Sequence, residues 1–113
     1  MPLDHSKLTV YRESLALLAV VDEASASVPS GSGKLRDQLD RAATSIVANI
    51  AEGAGEFSPN EKKRFYRMAR RSVNEVAAWL DILAQRKQLA PELHLRADAM
   101  MTSIVSMLVS LIR

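Results

Sequence analysis

At 113 residues the chain has room for one domain, residues 1–113, with a core that hides about two thirds of its unfolded surface. It contains no cysteine, which excludes disulfides and thiolate metal sites and suits a reducing cytosol. Net charge is only +2, so a weak global field leaves any charge-driven function to the local distribution of charge.

The first residues, Met1-Pro2-Leu3-Asp4-His5, carry an acid and a histidine where a secretory leader needs a basic and then an apolar run. Glycine and proline punctuate the chain at Pro29 to Gly33, Gly53 to Pro59 and Gln88 to Pro91. Between these points lie four segments rich in Ala, Leu, Arg and Glu, which predict helices over about 5–28, 34–54, 59–87 and 91–112. At a rise of 1.5 Å per residue each is about 30 to 40 Å long. Four helices of similar length on short connections run antiparallel to their neighbours, so the expected fold is all-α: an up-and-down antiparallel four-helix bundle.

The first helix contains seven consecutive apolar residues, Leu15 to Val21, more than a single core stripe requires. In the second, Leu35, Leu39, Ala42, Ala43, Ile46, Ile50 and Gly53 recur at helical spacing. Asn49 lies at the edge of that stripe and Glu52 just beyond it. The glycines of Gly31-Ser32-Gly33 and Gly53-Ala54-Gly55 read as C-caps and loop residues.

The third helix has the clearest start. Ser58-Pro59-Asn60-Glu61 places a hydroxyl at N-cap, proline at N1 and a carboxylate at N3, the pattern of a capping box. Its apolar stripe reads Phe65, Met68, Ala69, Ser72, Val73, Val76, Trp79, Leu80 and Leu83, with Glu75 beside the central Ser72. Six of the ten residues from Lys62 to Arg71 are basic and none is acidic. At 100° per residue Lys63, Arg67, Arg70 and Arg71 fall opposite the stripe, with Arg64 at its flank. Such a row can neutralise phosphates and release counterions, whereas an ordinary solvated face mixes signs as Asp37, Asp40 and Arg41 do. Tyr66 is the one nearby aromatic outside the stripe, which favours backbone contact over base stacking. Lys62 and the Arg86-Lys87 pair are secondary candidates.

The fourth helix is apolar except around Ser103, Ser106 and Ser110, and its apolar stretch, Met100 to Ile112, is shorter than the ~20 residues of a membrane span. Two helices apolar over most of their circumference point to a homo-oligomer joined along helices one and four, the alternative being a core rich in small apolar residues. The expected location is cytoplasmic, without a membrane partner.

Little here suggests an enzyme. His5 and His94 have no Glu or His at i+3 or i+4, and there is no HExxH, GxxxxGK[ST] or GxSxG. The expectation is no catalytic residue, no metal, no cofactor and no small-molecule substrate. Asn49, Glu52, Ser72 and Glu75 beside the core faces read as a buried network that determines which helix faces which.

The run Gln38-Leu39-Asp40-Arg41-Ala42-Ala43-Thr44-Ser45-Ile46-Val47-Ala48-Asn49-Ile50-Ala51-Glu52-Gly53 resembles the signature Q-L-x-R-A-A-x-S-I-x-x-N-I-A-E-G. That signature belongs to the bacterial four-helix bundle family named for proteins encoded in 23S rRNA intervening sequences. Phe65, Ala69, Ser72 and Glu75 match its second signature, F-x-x-x-A-x-x-S-x-x-E. The resemblance implies an up-and-down bundle, with Asn49, Glu52, Gly53, Ser72 and Glu75 as structural hallmarks. Members of this family, and the similar accessory proteins of diversity-generating retroelements, are homopentameric barrels, and the latter bind nucleic acid through basic surfaces. The expected function is therefore a non-enzymatic homo-oligomer that binds RNA or DNA backbone through Lys63, Arg64, Arg67, Arg70 and Arg71. The alternative is a scaffold for an acidic or apolar protein partner.

Overall fold

The four helix-forming runs become four helices in the computed structural model, which describes His5 and residues 8–113. They are α1 (Thr9–Ala26), α2 (Gly33–Gly55), α3 (Pro59–Gln85) and α4 (Pro91–Ile112), with a 3-10 turn at Ser30–Ser32 before α2. Each helix packs on its neighbours in chain order and α1 closes the ring on α4; among the described residues the diagonal pairs do not meet. The result is a rod of 43 × 25 × 23 Å, the up-and-down arrangement that short connections impose.

Local chemistry sets the helix ends. Ser58 is extended and its Oγ accepts the Glu61 N–H at 3.4 Å, with Pro59 at the first helical position. The Glu61 carboxylate turns instead to Arg64, leaving a serine cap in place of the reciprocal box. Helix α1 starts at Thr9 rather than near residue 5; Met1–Asp4, Ser6 and Lys7 lie outside the described residues. It stops at Ala26, two residues short of the expected end, where Ser27 bonds back to Ala24 O through both N–H and Oγ. Pro29 disfavours the helical region for Val28, so the helix has no continuation.

Two end assignments change. Among the described residues no glycine has positive φ, so the glycines are not left-handed C-caps; Gly33 opens α2 and Gly53 lies within it. The left-handed position is Lys87, φ 59°, which ends α3 two residues before the expected boundary. There Gln88 N–H bonds Leu83 O at 2.9 Å and Lys87 N–H bonds Ala84 O at 3.0 Å, the paired bonds of a Schellman motif.

The core is a column of branched aliphatics from all four helices, including Leu17, Leu39, Ile46, Ile50, Val76, Leu80, Ile104 and Leu108, all fully buried. Each such side chain contributes about 1.5–3 kcal/mol relative to exposure. The apolar stripe of α3 differs from expectation at its N-terminal end, where Tyr66 is only 4% exposed while Met68 is 37% exposed and Phe65 half-buried. Gly53 explains the exchange. A Cβ there would lie 2.6 Å from Tyr66 Cε1, so its absence opens the space that the tyrosine ring fills.

Helix α4 runs unbroken through its serines for 22 residues with a mean hydropathy of 1.5 over its most apolar 18-residue window, so it is long and apolar enough to cross a membrane by length and composition. The apolar stretch counted from Met100 leaves out the first turns of this helix, where Glu92, Arg96 and Asp98 lie among apolar residues; the serines do not interrupt it. A helix continues through them because its backbone bonds do not depend on side-chain polarity, and Ser103 Oγ donates to Glu13 Oε2 on α1 at 2.8 Å. Only 22% of that window is buried within the bundle.

Candidate nucleic-acid interface

The basic row lies on the side of α3 opposite its core stripe, because Tyr66, Ala69, Ser72, Val73 and Val76 take the inward positions, with Arg71 at the edge facing α2. Arg64, Arg67 and Arg71 are exposed; Lys63 and Arg70 are half-buried. From Lys63 to Arg71 the row extends about 12 Å along the axis. Among the described residues no ion pair engages Lys63, Arg67, Arg70 or Arg71. Arg64 is partly neutralised by Glu61 Oε2 at 2.9 Å, and its guanidinium stands 4.5 Å from the centre of the Phe65 ring.

Lys62 is no member of this row. Its Nζ donates to Gly53 O at 3.3 Å and Ala54 O at 3.0 Å, placing a cation on the carbonyl end of α2, where the helix dipole favours it. Arg86 and Lys87 are exposed, but they end α3 about 22 Å beyond Arg71 and form no continuous surface with the row.

The hallmark residues divide. Ser72 Oγ donates to Ser45 Oγ at 2.9 Å across the α2–α3 contact. Asn49 Nδ2 donates to Ser45 O at 2.9 Å and to Ser45 Oγ at 3.0 Å. Of the four residues expected to form a buried network, only Ser72 and Asn49 are bonded here, through Ser45, one turn before Asn49; Glu75 is exposed and, among the described residues, no hydrogen bond joins it to them. Asn49, Ser72 and Glu75 line a cleft of about 150 Å³ with Ser45, Met68 and Arg71, the last being the member of the basic row at its edge. Glu52 is exposed on α2 and outside this cleft, and Gly53 serves the Tyr66 contact. Burial raises the Tyr66 pKa above 10.0, so the phenol stays neutral under ordinary conditions.

One further cluster joins α3 to α4. His94 Nε2 lies 3.0 Å from Asp81 Oδ1 and 3.8 Å from Asp98 Oδ2, and the three donor groups fall within 4.8 Å of one another. Glu and His are absent at helical spacing from His94, but a carboxylate of Asp serves equally. Asp98 at i+4 is the unexpected partner, and Asp81 comes from the facing helix. Among the described residues this is the group with the donor chemistry for a divalent cation, and both carboxylates are exposed. Its direct role is a hydrogen-bonded clip between the two helices.

Comparison with known proteins gives the same architecture. A crystal structure of a protein of unknown function, from the S23 ribosomal protein family of Bacteroides thetaiotaomicron VPI-5482, superposes with a TM-score of 0.83. It is 24% identical, and the match covers 93% of this chain and 99% of that one, a likeness of fold. No curated protein matches the chain. The family model for 23S rRNA-intervening sequence proteins matches residues 6–110, nearly the whole bundle, and the chain belongs to that family.

Proposed function

We propose that the protein is a non-enzymatic, cytoplasmic homo-oligomer that binds the backbone of RNA or DNA through Lys63, Arg64, Arg67, Arg70 and Arg71. The observation that carries this reading is the row of outward cations on α3, four of which have no ion pair among the described residues. Unpaired cations at one-turn spacing attract phosphates without first having to break internal bonds, and their binding energy comes from releasing condensed counterions. Assembly would set several rows side by side, raising affinity through effective concentration without new contacts.

Fluorescence anisotropy with generic RNA and DNA over a salt series tests the reading. Four phosphate contacts per chain predict a slope of log affinity against log salt of about −3 to −4. The variant Lys63→Ala/Arg67→Ala/Arg70→Ala/Arg71→Ala should lose most of the affinity and flatten the slope. Absence of binding at low salt, or binding unchanged in that variant, overturns the proposal in favour of a scaffold for a protein partner.

A further inference from the structure

Phe57 is 99% exposed, the most open of the large apolar side chains among the described residues. It sits between α2 and α3, immediately before the Ser58 N-cap. An apolar residue in that position commonly packs on the fourth residue of the helix as a hydrophobic staple. Here the fourth residue is Lys62, whose ammonium is held on the last carbonyls of α2. Among the described residues Phe57 therefore has no apolar partner, and leaving such a ring in water forgoes the stabilisation that burial gives.

The helix that Phe57 precedes carries the basic row, which begins at Lys63, one turn in from the Ser58 cap. The next aromatic along the chain, Phe65, is half-buried and carries the Arg64 guanidinium 4.5 Å from its centre. Lys63, Arg67, Arg70 and Arg71 follow on the outward face of the same helix. The acids closest to Phe57 along the chain are Glu56, half-buried, Glu61, paired with Arg64, and Glu52, exposed on α2. An apolar protein partner seated on Phe57 would have to desolvate neighbouring cations without pairing them. A nucleic acid meets both needs at once, offering a π-face to the ring and phosphates to the cations.

We propose that the nucleic acid is single-stranded and that one unpaired base stacks on Phe57 while the α3 row follows the backbone. This rests on the function proposed above and narrows its ligand. Bases inside a duplex present their edges, so a protruding ring reaches a base face at least cost where the strand is unpaired. Stacking on one aromatic is indifferent to base identity, and the site accordingly tolerates sequence variation while discriminating against duplex.

The test uses the full chain, a labelled oligothymidine of about 12 nucleotides and a labelled duplex of the same length. The native protein should bind the single strand more tightly. Phe57→Ala should weaken single-strand binding at least about fivefold, leave duplex binding within about twofold and leave the salt slope unchanged. Phe57→Trp should restore affinity, with indole fluorescence quenched on adding the single strand. Since the ring is almost wholly exposed among the described residues, these variants should keep the native helical circular dichroism. If Phe57→Ala binds like the native chain while the four-cation variant does not, stacking is overturned and the backbone reading stands. Failure of the native chain to bind either probe removes both. A change of oligomer mass in Phe57→Ala assigns the ring to a contact between copies and overturns the proposal.

Discussion

Gly53 shows how far one missing methyl can act. In sequence it reads as a helix-end glycine, but it lies inside α2 with ordinary backbone angles, and its function is close approach: Tyr66 Cε1 lies 2.6 Å from where a Cβ would be. Gly53→Ala adds about 1 kcal/mol of helix propensity, but it forces a buried ring to shift at a cost of about 1–3 kcal/mol. The expected net is a destabilisation of about 1 kcal/mol, read as a fall in Tm of about 4 °C by thermal circular dichroism. A gain in stability would show that the ring moves freely and that Gly53 is not required there. The same packing relation explains why Tyr66, and not Met68, is in the core.

At the scale of the element, the connection from α3 to α4 is the least expected. The left-handed residue of a Schellman motif is most often glycine, yet Lys87 holds φ 59° here. A non-glycine residue in that region costs about 1–2 kcal/mol, partly offset in Lys87→Gly by the larger entropy of the unfolded glycine. The substitution should therefore raise stability by about 0.5–1 kcal/mol, seen as a higher urea midpoint at unchanged m-value. A lower midpoint would mean that the lysine side chain contributes more than its backbone strain costs. Helix α3 also shows that charge along a sequence is not charge on a surface. Of the six clustered cations, Lys62 is committed to the end of α2 and Arg64 is shared with Glu61 and Phe65, so four carry no ion pair among the described residues.

For the whole molecule, apolar surface is the unresolved quantity. Leu95 is 71% exposed, Leu15 is 42% exposed, and Leu8, Val10, Met107 and Leu111 border an open cleft of about 270 Å³ where α1 meets the end of α4. We propose that further copies cover this surface, since a helix as apolar as α4 gains little from a bundle that buries so small a part of it. Light scattering at micromolar concentration should then give a multiple of 12.4 kDa, with Leu15→Arg shifting the mass towards one chain. A monomeric native protein would remove the oligomer from the proposal, and recovery only in a membrane fraction would replace it with a lipid partner.

The local signals were legible from the sequence alone. Helix number, order and approximate length follow from 3.6-residue periodicity, proline punctuation and the Ser58 cap, all of which act over a few residues. The outward position of Arg67 and Arg71 follows too, because a helix carries its own geometry. What depended on a partner remote in sequence was decided only in three dimensions. Lys62 found the carbonyls of α2, His94 found Asp81 on the facing helix, and Ser45 became the link between Ser72 and Asn49. Tyr66 went inward and Phe57 remained outside. Periodicity specifies which way a side chain points from its own axis, but its environment is set by what the neighbouring helix places, or omits, at the same height.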